Sequence, residues 1–474
     1  MPYIEGVPRE QAALLPARVD DYVAPQSIVR FIEAFVWTLP MERLGFRRFE
    51  PAATGRPGYD PRMMLALLIY GFVYGITSSR KLEREAARNM ELIWLMRTLR
   101  PDFKTISDFR RDHKKALRGV FGEFTKMCRR TGVISGELVA IDGSKFRAVN
   151  SKERNYDMAK LERLQKAIDK RIREYLREIE ENDAREADQP APLTAEEMAE
   201  KIAELRARKD EYAELEASEE RQISTTDSES RLMKMRRGAD VCYNAQIAVD
   251  SQHKLIIAAD VTNEVTDQQQ LAGMAEQAKD ALEAETLEVV ADKGYSNSVE
   301  LAACEAAGVT TYVPQPQWRR NDAKGRYSKE DFTYDAESDT YTCPAKQSLK
   351  LQFASREKKN GRDVRYYATR ACGACPLRAK CTGPKQKYRR IARRADEAVI
   401  TAAAKRAAAR PDLTKRRREL AEHPFGSIKR WINGGYFLLK GLDGVRAEFS
   451  LAALAYNIRR VWNLANASFA LAAS

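Results

Sequence analysis

No apolar stretch of this chain is long enough to cross a bilayer. The longest, Met63 to Val73, falls well short of the roughly 20 residues a spanning helix needs. No basic-apolar leader opens the sequence, because Met1-Pro2-Tyr3-Ile4-Glu5 runs directly into polar residues, and a cytoplasmic location is expected. No glycine-rich phosphate loop is present, which argues against a reaction driven by a bound nucleotide. Cysteine is scarce and uneven: of seven, Cys128, Cys242 and Cys304 stand singly and read as small core residues. What is abundant is charge. Charged residues make up 31% and hydrophobic ones 44%, the balance of a folded soluble protein, and the formal net charge of +13 favours a polyanionic partner, nucleic acid or an anionic membrane surface.

Periodicity divides the chain. A helical stripe runs from Pro25 towards Trp37. Further helices are expected over Pro61–Tyr74 and Ser78–Asn89, another from Met90, and one from near Thr105 to Arg130, so that residues 1–130 form a helical amino-terminal domain. Within it Lys104, Thr105, Arg110 and Arg111 suit a helix start whose first turns face DNA, as in a helix-turn-helix. From 131 onwards strands are expected at Leu138–Asp142, Val241–Val249, Leu255–Ala259, Leu287–Asp292 and Val309–Val313. Helices at Asp267–Ala284 and Ser298–Ala307 join them into a mixed α/β sheet. Residues 156–219 read as an inserted antiparallel helical hairpin, bent around Pro190 and Pro192, with a capping box from Thr194 to Glu197.

Three acids stand out. Asp142 and Asp292 each close an apolar strand and precede a glycine, with basic neighbours Lys145, Arg147 and Lys293. Asp250 and Asp260 also follow apolar strands, where a lone aspartate is commonly a cap or turn former; local pattern does not exclude Asp260, and Asp142 and Asp292 are preferred for their glycines and basic neighbours. Glu422 is expected at the positive start of a basic helix opening near Pro424, with Arg418 before it and Lys429 and Arg430 after. Three convergent carboxylates in a basic protein suit two hard divalent cations and phosphodiester chemistry.

These blocks, Ala140-Ile141-Asp142-Gly143-Ser144, Ala291-Asp292-Lys293-Gly294-Tyr295 and the Arg418-x3-Glu422-x6-Lys429 signature, resemble those of DDE transposases from bacterial insertion sequences. Tyr243-Asn244-Ala245-Gln246 and Ala258-Ala259-Asp260-Val261-Thr262-Asn263 resemble sheet segments of such enzymes. One departure is Lys415, where the best-defined subgroup has tyrosine. The resemblance implies a ribonuclease-H-like catalytic domain whose Asp142, Asp292 and Glu422 hold two Mg²⁺ or Mn²⁺ ions. It further implies cleavage at element ends, strand transfer of the 3′-hydroxyl, and Arg418, Lys429, Arg430 and Lys293 along the phosphate path. The implied partners are double-stranded DNA at terminal inverted repeats, target DNA and a second copy of the chain. A nuclease that cuts without joining, or a catalytically silent DNA-binding repressor, are the competing expectations. His423 reads as a packing or hydrogen-bonding residue, because a metal-activated water needs no separate base.

Between 318 and 410 lies a basic insertion with the pattern Cys343-x28-Cys372-x2-Cys375-x5-Cys381. Four thiolates, two of them on a tight knuckle, suit a structural Zn²⁺, although the long first spacing is unusual for a compact finger.

Overall fold

The computed structural model describes residues 18–47, 58–150, 152–183, 194–217, 222–235, 238–315, 325–356, 363–383, 386–394 and 397–473. The amino-terminal region is helical. Its principal helices are Ile28–Trp37, Pro61–Val73, Ser79–Arg88, Met90–Leu95, Phe103–Asp112 and Lys114–Arg130. Caps explain where they begin: Ser27 accepts from the Val29 N–H, Asp60 from that of Arg62 with Pro61 in the first turn, and Asp102 from that of Thr105. Pro61–Val73 is apolar on nearly every side and is buried accordingly, between Ile28–Trp37 and the last helix, Leu442–Ala473.

The single helix expected from Thr105 to Arg130 is two, broken at His113. Thr105 is inside the first, and Arg110 and Arg111 occupy its last turn rather than its first.

The central sheet contains β1 (Leu138–Arg147), β4 (Arg231–Lys234), β5 (Ala239–Asp250), β6 (Ile256–Thr262), β7 (Leu287–Ala291) and β8 (Val309–Tyr312); two short strands, β2 (Asn155–Asp157) and β3 (Gln222–Ser224), pair apart from it. β5 is antiparallel to β1, and on its other edge to β4 and β6; β1 is parallel to β7, and β7 to β8. The spatial order is therefore β6-β5-β1-β7-β8. β1 does not end at Asp142 as expected. Its pairing with β7 stops at Ile141↔Ala291, while its pairing with β5 continues to Arg147↔Cys242. Asp142 thus lies inside a strand, at the point where one neighbour has left. Gly143 is needed for close approach rather than for a turn: a Cβ there would collide with the Gln246 amide and lie 2.6 Å from the Asp267 carboxylate.

The helices Met158–Asp183 and Ala195–Ala217 pack on each other through Tyr175, Met198 and Ile202, above the β2–β3 pair. Thr194 and Glu197 bond reciprocally as a capping box. Pro190 and Pro192 lie outside the described residues. After β8 a second, five-stranded antiparallel sheet spans Thr333–Arg394, with its own core of Phe332, Tyr341, Leu349, Tyr367 and Ile391. The helices Glu397–Ala409 and Pro411–Ser427 then return the chain to the central sheet. The main apolar core runs unbroken from the amino-terminal helices through the central sheet to Leu442–Ala473. Among the described residues, no helix is long and apolar enough to cross a membrane.

Candidate catalytic site

Register alone brings the first two acids together. The last β1–β7 pair is Ile141↔Ala291, so Asp142 and Asp292 follow side by side on neighbouring parallel strands. Asp292 leaves the sheet and its carboxylate accepts from the Gly294 N–H at 2.6 Å, capping the short turn Lys293–Tyr295. Asp142 keeps extended backbone and accepts from the Gly143 N–H at 2.9 Å. Burial pushes the Asp142 carboxyl up to about 6; the Arg417 guanidinium opposes this, and the charges of Asp292 and Asp267 add to it.

The third acid comes from Pro411–Ser427, which packs on β1, β5 and β7. This helix begins at Pro411, not near Pro424, which lies inside it. Glu422 is therefore in the penultimate turn, away from the positive end of the helix, and its expected dipole support is lost. Its side chain is 69% exposed and stands 3.8 Å from Arg418. The residue of this helix that reaches the buried acid is Arg417, whose Nη1 donates to Asp142 Oδ2 at 2.9 Å. Beyond Ser427 the helix widens into a π-turn over Ile428–Ile432, a distortion common at functional sites. From it Lys429 Nζ donates to Ser144 Oγ at 2.6 Å and to the Lys145 carbonyl at 2.9 Å, above the Phe146 ring. Asp142, Ser144 and Phe146 share one face of β1 by strand alternation, so Lys429 meets the strand on the face that carries the acid.

A further carboxylate joins from a position the sequence reading treated as a helix start. The helix begins only at Leu271, and Asp267 turns towards the sheet. Its Oδ1 accepts from Asn244 Nδ2 at 2.7 Å and Gln246 Nε2 at 2.8 Å, with Lys145 Nζ at 3.7 Å. The Tyr295 hydroxyl donates to Gln246 Oε1, tying the second acid block to the same cluster. The available signal was Asn244 and Gln246 themselves, two buried amides on one face of an otherwise apolar strand.

The other acids and histidines have structural partners. Asp250 accepts from Ser135, Gly136, Gln252 and His253, and Asp260 pairs with Arg446 at 2.9 Å. His423 Nδ1 lies 3.0 Å from the Tyr456 hydroxyl, a hydrogen-bonding role as expected.

The proposed DNA contacts are scattered. Lys104, Lys293 and Arg430 are exposed, the last beside Trp431. Arg147 is exposed and paired with Asp240 at 3.1 Å, and Lys145 is drawn inward by Asp267. Arg111 pairs with Asp108 and Asp112, and Thr105 bonds to the capping Asp102. Arg110 requires a correction. It is buried, donates to the Thr77 carbonyl at 3.2 Å and feels the charge of Glu448, so it braces the amino-terminal helices against the last helix and offers no groove-facing charge.

Cys343, Cys372, Cys375 and Cys381 line one small cavity with Phe332, Leu349 and Arg389. The Gln347 N–H donates to Cys343 Sγ at 3.4 Å. Burial raises the Cys381 thiol, Arg389 opposes this, and the other three sulfurs add to the rise. Among the described residues, however, no group of three or more histidine, cysteine, aspartate or glutamate side chains lies in position to hold a metal ion. At the central sheet the donor chemistry suits a hard cation, two neighbouring carboxylates of which one is buried, but the third carboxylate faces solvent.

No curated protein matches the chain. A cryo-EM structure of a piggyBac transposase synaptic complex with hairpin DNA aligns over 93% of this chain and 72% of that one, at 8% identity and a TM-score of 0.32. Two family models match. Residues 17–112 match a transposase domain (DUF772), and residues 342–462 a transposase DDE domain. The first spans the amino-terminal helices as far as Phe103–Asp112 and the second contains the four cysteines, Arg418, Glu422 and Lys429; in sequence they flank the strands that carry Asp142 and Asp292. The chain thus carries transposase-domain sequence in two separate stretches, the later of them a DDE domain.

Proposed function

We propose that this protein is a metal-dependent DNA transposase that cuts at the ends of its element and joins the freed 3′-hydroxyl to target DNA. The observation that carries the reading is the placement of Asp142 beside Asp292, beneath a helix bearing Arg417, Arg418, Glu422 and Lys429. The strand order β6-β5-β1-β7-β8, with only β5 antiparallel, supports a ribonuclease-H-like fold.

Asp142, Asp292 and Glu422 would hold the divalent ions, Mg²⁺ or Mn²⁺. When bound, such ions activate water or a 3′-hydroxyl for in-line attack and stabilise the leaving oxygen. The chain's own residues position the reactants. Lys429 is held by two neutral oxygens, so its charge is uncompensated and available to a phosphate oxygen; burial lowers its pKa. Arg418 and Arg430 extend that cationic path along the exposed side of the helix. Asp267, Gln246 and Tyr295 fix the strand backbone around Asp142 by hydrogen bonding.

Duplex DNA with terminal inverted repeats, a second copy of the chain in the DNA complex and a cytoplasmic setting follow from the same reading. The four cysteines share one cavity without standing in position to hold a metal, so a Zn²⁺ serving there as a fold support would have to draw them together. Incubating the protein with labelled element ends, target DNA and Mg²⁺ tests the function. Cleaved ends and joined products are expected; cleavage without joining would indicate a nuclease, and binding without either a silent repressor. Asp142→Asn, Asp292→Asn and Glu422→Gln should each reduce cleavage at least about a hundredfold while sparing DNA binding.

A further inference from the structure

We infer that Arg417 is a positioning residue that occupies the cation's place on Asp142 and withholds the site from divalent metal until DNA draws it away. The inference rests on the transposase reading above and adds to it a residue outside the Arg418–Glu422–Lys429 signature. Arg417 and Asp142 are largely enclosed, 13% and 20% exposed, with Nη1 and Oδ2 2.9 Å apart. Asp292 and Asp267 act on the same Asp142 carboxylate, so the guanidinium supplies the opposite charge that buried carboxylates require. Glu422 is meanwhile paired outward with Arg418.

Helix geometry makes the two arrangements alternatives. Arg417 and Glu422 are five residues apart, about 140° around the axis. Leu413, Leu420 and Ala421 are buried and hold the helix on the sheet, so Arg417 leaves Asp142 by a change of side-chain rotamer. Glu422, nearer the carboxyl end, gains freedom from Pro424, which lacks the N–H that would bond one turn back, and from the π-turn Ile428–Ile432 that follows. A divalent ion at Asp142 and a guanidinium 2.9 Å from the same carboxylate would repel strongly in so enclosed a place. Phosphate is the natural new partner for the released guanidinium, which binds it by paired N–H groups.

The test is Mn²⁺ binding by the full chain, followed by the electron paramagnetic resonance of free Mn²⁺, with and without a short DNA duplex. Wild type should bind weakly alone and more tightly with duplex. Arg417→Gln should bind at least about tenfold more tightly than wild type without DNA and gain little from it. Arg417→Lys, which keeps a charge in place should the glutamine variant fail to fold, should fall between the two. Unchanged or weaker Mn²⁺ affinity in the folded Arg417 variant, with binding abolished in Asp142→Asn, would overturn the inference and leave the transposase reading intact. Mn²⁺ bound by none of these proteins, even with duplex, would remove both.

Discussion

Glu448 shows how a single buried residue ties regions together. It is fully enclosed on Leu442–Ala473, accepts from the Leu438 and Leu439 N–H groups and lies within electrostatic range of Arg110. Burial pushes its carboxyl up to about 7, against the lowering by those two N–H groups and Arg110. The folded pKa lies above the unfolded one, so the native state holds the proton longer. Stability from this residue is then fully present below pH ~4.5 and declines as pH rises towards 7, by about 3 kcal/mol at most. Thermal melts from pH 4 to 8 should show that slope in wild type and a flatter one in Glu448→Gln. At Gly143, adding a methyl group should destabilise the fold by roughly 1–3 kcal/mol, because the strand cannot retreat from Gln246 and Asp267. Denaturant titration of Gly143→Ala measures this. Lys429→Ala should lower strand transfer at least about tenfold with only about 1–2 kcal/mol lost in stability, the worth of its bonds to Ser144 and Lys145. Undiminished strand transfer would place Lys429 outside the phosphate path.

At the level of elements, what could be read from sequence was what depends on local pattern. The apolar runs located β1, β5 and β7, and the Thr194–Glu197 box located a helix start. Errors arose where long-range pairing outweighed local cues. Asp142 ended an apolar run, yet β5 carries the strand five residues further. Pro424 looked like a helix start because proline favours first turns, but the helix beneath it was already anchored by Leu413, Leu420 and Ala421 against the sheet. Arg417 was hidden among four consecutive basic residues, and only the fold distinguishes the one turned inward. Asp267 carried no motif of its own. The second sheet supports a further expectation. If its four thiols hold zinc, purified protein should contain about one equivalent, and Cys375→Ser should lower it along with the melting of that sheet. Less than about one tenth of an equivalent would leave the cysteines as packed thiols.

For the molecule as a whole, continuity of the core matters more than the linear order of its parts. The amino-terminal helices share one apolar core with the sheet, whereas the paired helices Met158–Asp183 and Ala195–Ala217 are held by a small cluster of their own. Replacing that pair by a short linker should leave cooperative unfolding intact, while deletion of the amino-terminal helices should abolish it; circular-dichroism melts of both would decide. The parallel pairing of β1 with β7 has a consequence in time. Asp142 and Asp292 are made far apart during synthesis, and no local contact brings them together. They become neighbours only when a strand near the middle of the chain docks beside one already formed, the slow, non-local kind of step that limits folding rates. A growing or interrupted polypeptide therefore lacks the strand pairing that sets the two acids side by side. Their neighbourhood arrives only with the sheet.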